Sequence, residues 1–419
     1  MMSTFLKRTL GPTCCASWAH VPPKGARPPA ACCHSLTNYK NQSLILFGGG
    51  STELISNRVY VFDLQTEAWR EVPTINSEIV QPRVSHSAVI YEDKLIVYGG
   101  QDLHNPILYG DVLELDLKTW VWSAVHTAPS EPEGPGERRL HSAHVHGSRM
   151  YVVMGDFCHT STVVWYLDLT DYTWHPVPSV LRSHSGSAHP FEMAMVPLSG
   201  HCAAVEGDTL YLFGGYAVSE ATGSNVLYSS SLFQFDFESA EWAEVAVASG
   251  PRPYPRYASS MAVRDGKVYI FGGDANRSTM TAYFDDFWVL DTRAAPPRWR
   301  VVTYRPQCRA PTARSGHSYA VARNTLYIMG GEVPVADDVQ YSAQLYRYPL
   351  GLSMDLSLRQ NAALQIAASL PTRDTASLLP LSYGARQALQ WAMGTVVSSS
   401  SDDFSLSQDT PTKCDLLLL

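Results

Sequence analysis

Short apolar runs recur along this chain with a constant punctuation. LILF at 44–47, LIVY at 95–98, YVVM at 151–154, LYLF at 210–213, VYIF at 268–271 and LYIM at 326–329 are each followed at once by glycine. The glycine is paired in five of the six and single in the third, where Met154-Gly155 stands. An apolar run of this length, bounded by turn residues, reads as a buried β-strand. Thirteen residues before the last glycine of each unit, fourteen in the first, lies the second residue of a small polar pair: His34-Ser35, His86-Ser87, His141-Ser142, His201-Cys202, Ser259-Ser260 and His317-Ser318. A third strand follows the glycines and mostly ends in Asp, at Asp63, Asp116, Asp168, Asp236 and Asp291. Six residues beyond that Asp, eight in the fifth case, comes a Trp that opens a fourth strand: Trp69, Trp122, Trp174, Trp242 and Trp299.

The sixth unit runs AQLYRYPLG at 343–351 and has no Trp strand, whereas ASWAHVPP at 16–23 is a Trp strand with no unit of its own. One strand spare at the start and one missing at the end predict a ring closed by its own amino terminus. Polar turns at Glu92-Asp93, Gly207-Asp208, Asp265-Gly266 and Arg323-Asn324 join first to second strands as tight hairpins. In an antiparallel blade these turns and the third-to-fourth turns share one face. The second-to-third and blade-to-blade connections share the other, and there nearly all the length lies, at 101–111, 177–200, 216–230 and 274–286. Long loops on a rigid scaffold commonly carry binding, so this face is the expected interaction surface.

The fixed order of polar pair, glycine pair, Asp and Trp resembles the kelch repeat over roughly residues 18 to 350. The resemblance implies an all-β, six-bladed kelch β-propeller closed by an N-terminal strand, followed by a short helical C-terminal extension. Met154 in the glycine pair of unit three and Ser259 in place of His in unit five depart from the pattern. The expected organisation is a flexible N-terminus at 1–15, the propeller at 16–351, a helical extension at 352–394 and a disordered tail at 395–419.

Composition narrows the function. The 419 residues are 45% hydrophobic and only 17% charged, with 28 Gly, 27 Pro, 22 Tyr and 10 Trp, a turn-rich and aromatic-rich β composition. A net charge of -8 argues against general nucleic-acid binding, which needs clustered cations. No apolar stretch reaches the length of a membrane span. Eight Cys in two doublets and four singles, without a CxxC pair, point to reduced thiols in the cytoplasm. The basic start MMSTFLKRTLG leaves a short mitochondrial presequence as the alternative.

Candidate chemistry clusters before the first strands. Arg83, Arg138, Arg256 and Arg314 recur there and admit two readings. They form a cationic ring for an acidic peptide or for the C-terminus of a partner protein, or they pair internally with loop carboxylates and carbonyls. Tyr216, which opens the 216–230 connection, and Tyr257, beside Arg256, complete the partner-binding set. The repeating histidines suit satisfaction of backbone groups between blades better than a metal centre, so no metal or cofactor is expected. No nucleophile motif or phosphate-cradling loop stands out. An enzyme with a loop-built site is the alternative to non-catalytic protein binding, since galactose oxidase and some specifier proteins use kelch-like propellers, and a plain scaffold is the other. Past the repeats, Ser357-Leu358, Ala362 and Ile366 resemble the segment with which kelch substrate receptors engage elongin and cullin ubiquitin ligases. Packing of that helix on the propeller's side is the competing reading.

Overall fold

Strands of five residues are the common unit here, and alternation of apolar and polar positions sorts them into six four-stranded antiparallel sheets. Blade one comprises Ser35–Tyr39, Ser43–Phe47, Val59–Asp63 and Ala68–Val72; blade two Ser87–Tyr91, Lys94–Tyr98, Val112–Asp116 and Trp122–Val125. Blade three comprises Ser142–His146, Arg149–Val153, Val164–Asp168 and Thr173–Pro176. Blade four comprises Cys202–Glu206, Thr209–Phe213, Leu232–Asp236 and Glu241–Glu244, with Val180–Arg182 added parallel to its outer edge. Blade five comprises Ser260–Arg264, Lys267–Phe271, Phe287–Asp291 and Trp299–Val301. The computed structural model describes residues 18–127, 134–156, 163–182, 197–218, 226–277, 280–302, 309–335 and 338–350, within a unit spanning Ser17–Leu350. The expected N-terminal segment at 1–15, the helical extension and the tail lie outside the described residues.

Blade six closes the ring as the strand count predicts. Ser318–Ala322, Thr325–Met329 and Leu345–Pro349 are joined at the outer edge by Ala19–Val21, with Ala19 opposite Arg347 and Val21 opposite Leu345. Trp18, fully buried, packs at 5.2 Å on Phe271 and Phe287 of blade five and on Tyr348 of its own blade. Three other fourth-strand tryptophans obey the same rule, each leaning on the blade before it. Trp122 meets Phe47 at 5.2 Å, Trp174 meets Tyr98 at 5.1 Å and Trp299 meets Phe213 at 5.7 Å. The residue that ends the second strand is thus the seat for the next blade's indole, and apolar clusters between consecutive blades form around these contacts. Truncating one such buried aromatic typically costs about 3–5 kcal/mol.

The turn chemistry explains the repeated Asp and Gly. Asp63, Asp116 and Asp236 each accept backbone N–H bonds from the residues two and three positions on, at 2.7–3.1 Å, which folds the third-to-fourth turn from within. At Gly331, φ is +93° and an added Cβ would sit 2.7 Å from the Ser315 carbonyl oxygen and 2.9 Å from the His317 Cβ. Only glycine fits so near a neighbouring strand. Among the described residues no helix is long and apolar enough to cross a membrane.

Candidate binding face

Six residues, one preceding each first strand, form a closed backbone circuit at the centre of the long-connection face. Cys33 N–H donates to Gly316 O at 2.7 Å, Ser85 to Cys33 at 2.9 Å, Leu140 to Ser85 at 3.1 Å, Gly200 to Leu140 at 2.9 Å, Ala258 to Gly200 at 2.7 Å and Gly316 to Ala258 at 3.1 Å. Every member has positive φ, between 51° and 64°. The circuit pins all six blades to one another where they converge.

Beside it, each blade carries one isolated antiparallel bridge between the residue before the circuit and the residue after the glycine pair. The bridges are Cys32 with Gly50, Val84 with Gln101, Arg139 with Asp156, Ser199 with Tyr216, Tyr257 with Asp274, and Ser315 with Glu332. The neighbouring positions repeat from blade to blade, but these do not. Their side chains cross the seams: Tyr216 donates to Asp156 at 3.1 Å, Tyr283 to Glu332 at 3.3 Å, and Arg139, paired with Asp156 at 3.1 Å within blade three, bonds Gln101 of blade two. Ser315 and Tyr257 both donate to Asp274. Burial pushes the Asp274 carboxyl up to about 6, against an ordinary value near 3.9. Burial, followed by the nearby carboxylates, also raises the hydroxyls of Tyr216, Tyr257 and Tyr283. Tyr216, Tyr228 and Tyr257 form an aromatic group with centroid separations of 5.5–6.2 Å.

The two predicted tyrosines therefore belong to this surface, and the four predicted arginines do not. Arg83, Arg138, Arg256 and Arg314 are each 0% exposed. Their Nη1 groups donate to the carbonyls of Gly99, Met154, Gly272 and Gly330 at 2.8–3.2 Å. Their own carbonyls accept N–H bonds at 2.8–2.9 Å from Gly49, Gly100, Gly215 and Gly273 of the preceding blade. Each arginine thus holds its own blade with the side chain and its neighbour with the backbone. Asp111 pairs with Arg83 at 2.7 Å and Asp286 with Arg256 at 2.8 Å. Tyr109 and Phe284 cover the guanidinium planes of these two at 4.4 and 4.0 Å. This is the internal-pairing arrangement, because a guanidinium with no exposed surface cannot meet a partner's carboxylate.

The repeated histidines serve the seams too, through hydroxyls, and His201 also meets the Leu198 carbonyl at 3.0 Å, a backbone group of the expected kind. His86 meets Ser35 at 3.0 Å, His141 meets Ser87 at 2.8 Å and His201 meets Ser142 at 2.9 Å, each across a blade boundary. In the fifth blade Ser259 faces the Cys202 thiol at 3.2 Å. Among the described residues no three His, Cys, Asp or Glu side chains are grouped to hold a metal. The ligase-box candidates Ser357, Leu358, Ala362 and Ile366 lie outside the described residues.

Exposed large apolar side chains are unevenly spread. Among the described residues eleven are exposed, and Leu54, Leu103, Ile107, Val226, Leu227 and Val335 all stand on second-to-third connections, in blades one, two, four and six. None of the eleven stands on a first-to-second or third-to-fourth turn. Sequence reasoning missed these tips, and it missed Asp156, Asp274 and Glu332. Aligning the units would have found the latter, since the position after the glycine pair varies while its flanks repeat.

Comparison with known proteins decides the family. The kelch-repeat domain family described as KLHDC2/KLHL20/DRC7 matches residues 13–196 and 200–360. The chain belongs to the kelch-repeat family. It is 25% identical over 331 residues to the leucine-zipper-like transcriptional regulator 1 homolog of Drosophila melanogaster, covering 75% of this chain and 31% of that protein. Several of the curated relatives it matches are likewise spanned over only about a third of their length. Kelch domain-containing protein 3 of Homo sapiens is 23% identical over 364 residues, 82% of this chain and 86% of that one. An N-(sulfonatooxy)prop-2-enimidothioate sulfolyase of Thlaspi arvense is 35% identical over 136 residues, 32% of this chain and 36% of the enzyme. The solved structure of YjhT shares the fold at TM-score 0.55 and 16% identity, over 76% of this kelch protein and 95% of YjhT.

Proposed function

We propose that this kelch propeller is a non-catalytic protein-interaction module that docks a partner on the long-connection face. Its C-terminal segment would link that partner to an elongin–cullin ubiquitin ligase. One observation carries the docking reading: among the described residues, six of eleven exposed large apolar side chains crown the second-to-third connections, while the short turns opposite have none. Apolar groups exposed on connections around a polar centre are the anatomy of an interface. The relatives' kelch repeats support protein binding in general. The ligase link rests on the spacing of Ser357-Leu358, Ala362 and Ile366.

Because the four arginines are buried, a partner meets tyrosines, Asp156, Glu332 and Arg139 at the centre of the face. The experiment is affinity capture with mass spectrometry. The full-length protein is compared with Leu54→Lys, Leu103→Lys, Leu227→Lys and Val335→Lys combined, and with a truncation after Gly351. Partners lost with the four tips but kept on truncation support docking, and elongin lost only on truncation supports the ligase link. An unchanged partner list with the tip variant overturns the docking reading. An enzyme with a loop-built site is favoured by the local likeness to the sulfolyase; release of sulfate from that enzyme's substrate by the purified protein would replace the present proposal.

A further inference from the structure

The blade-one members of the bridge and of the backbone circuit are consecutive cysteines, and they are in mutual contact. Cys32 is 4% exposed, while Cys33 is half-buried. Both flank Gly316: a Cβ added there would lie 3.2 Å from the Cys33 sulfur and 3.4 Å from the Cys32 Cβ. The Cys32 thiol reaches Glu332 Oε1 at 3.5 Å. Its hydrogen bond to Cys33, then burial and Glu332, hold Cys32 protonated; the same bond lowers the Cys33 thiol against the opposing effects of burial and the Glu332 carboxylate. Cys33, the more exposed of the two sulfurs, is the one a peroxide reaches first, and the buried Cys32 beside it is the resolving thiol.

We propose that Cys32 and Cys33 form a reversible thiol–disulfide switch at the centre of the long-connection face, oxidised by a hydroperoxide. The Cys33 thiolate attacks the terminal peroxide oxygen, the O–O bond breaks, and the alkoxide leaves as alcohol after taking a proton from solvent. The resulting Cys33 sulfenic acid is then attacked by the Cys32 sulfur; the S–S bond forms, and hydroxide departs with the thiol proton as water. Two thiols lose two electrons and two protons, and the peroxide is reduced to alcohol and water.

Geometry makes this switch reversible. Consecutive Cα atoms are about 3.8 Å apart across a trans peptide, whereas disulfides usually span about 4.4–6.8 Å. A bond forced into the shorter span is strained and readily reduced. Cys33 cannot accommodate it silently, because its N–H holds Gly316 and its carbonyl holds Ser85 in the six-membered circuit. Oxidation therefore acts on the seams of blade one with both neighbours.

The test treats the reduced full-length protein with hydrogen peroxide, then blocks free thiols and maps peptides by mass. The expected result is a fall of about tenfold in alkylation of both Cys32 and Cys33, with one peptide lighter by two hydrogens. The melting temperature should fall and return with dithiothreitol. Cys33→Ser should remove the shift; serine already occupies the same circuit position and backbone conformation at Ser85. Cys32→Ser should instead leave a sulfenic acid at Cys33 that dimedone traps, which tests the chemistry even if the first variant folds poorly. The proposal is overturned if both cysteines still alkylate after peroxide, if the disulfide maps to another pair, or if Cys33→Ser keeps the shift.

Discussion

Seams one–two, two–three and three–four are stitched by a histidine from one blade and a serine from the blade before it, at 2.8–3.0 Å. The two seams that flank blade six use the same residue types without the stitch. His317 and His34 have neither ring nitrogen bonded, and the Ser318 hydroxyl makes no bond, among the described residues. Yet here the two ends of the folded chain must meet. Blade six keeps other polar links, such as Ser315 to Asp274 and Tyr283 to Glu332, and in place of the histidine stitch it carries the densest aromatic packing: Trp18 on Phe271, Phe287 and Tyr348, Phe287 on Tyr348 at 4.7 Å, and Phe271 beside His317 at 5.7 Å. The lesson is that the buried histidine stitch is dispensable where aromatic burial, the larger and less directional force, fills the same seam.

Acid acts at once on every seam that carries a histidine, all but the Ser259–Cys202 seam between blades four and five, and has the largest expected effect. Burial depresses the imidazoles of His34 and His201 to about 4, of His86, His144 and His317 to about 3, and His141 well below its ordinary value. The unfolded protein takes up these protons near pH 6.5 and the folded protein does not, so their stabilisation is complete above pH 6.5 and is lost as pH falls toward the folded values. By pH 5 each histidine has forfeited about 2 kcal/mol, on the order of 10 kcal/mol together, comparable with the whole stability of a domain. Asp274 works in the opposite sense, gaining as pH falls below about 6, one group against six. Denaturant titrations at pH 7, 6 and 5 should show steep loss; a flat profile would refute the burial of these rings.

Closure is broken more selectively by Trp18→Ala, which should cost about 3–5 kcal/mol and expose the Ala19–Val21 edge strand to protease. An unchanged melting midpoint would contradict the aromatic account of blade six. The comparison is sharpened by two identical small changes. Ser87→Ala leaves His141 unpaired in a buried seam and should cost about 1–3 kcal/mol. Ser318→Ala removes a hydroxyl that holds nothing and should fall within about 0.5 kcal/mol of wild type. Equal losses in urea unfolding would erase the distinction between stitched and unstitched seams.

How much of this was legible follows from what repeats. Gly48-Gly49, Trp122 and Asp116 recur because each blade needs the same close approach, the same wedge and the same turn, so order along the sequence translates directly into blade count and closure. Arg83 and Arg256 were equally visible, but their burial was not. A guanidinium before a strand looks the same whether it faces solvent or a neighbour's carbonyl, and only packing distinguishes them. Leu54 and Leu227 were invisible for the opposite reason, being unremarkable residues in irregular loops whose exposure depends on how far the hairpin lifts them. Asp156, Asp274 and Glu332 fell between, marked only by failing to repeat.

The circuit through Cys33, Ser85, Leu140, Gly200, Ala258 and Gly316 has an electrostatic consequence. Its six hydrogen bonds run in one sense around a closed loop, so each member's N–H and carbonyl is spent on a neighbour, and the circuit offers no row of free N–H groups of the kind a helix end presents to an anion. Whatever charge a visitor senses there is written by side chains alone. Natural variation could therefore recolour the centre from acidic to basic one blade at a time, without disturbing the hoop beneath it.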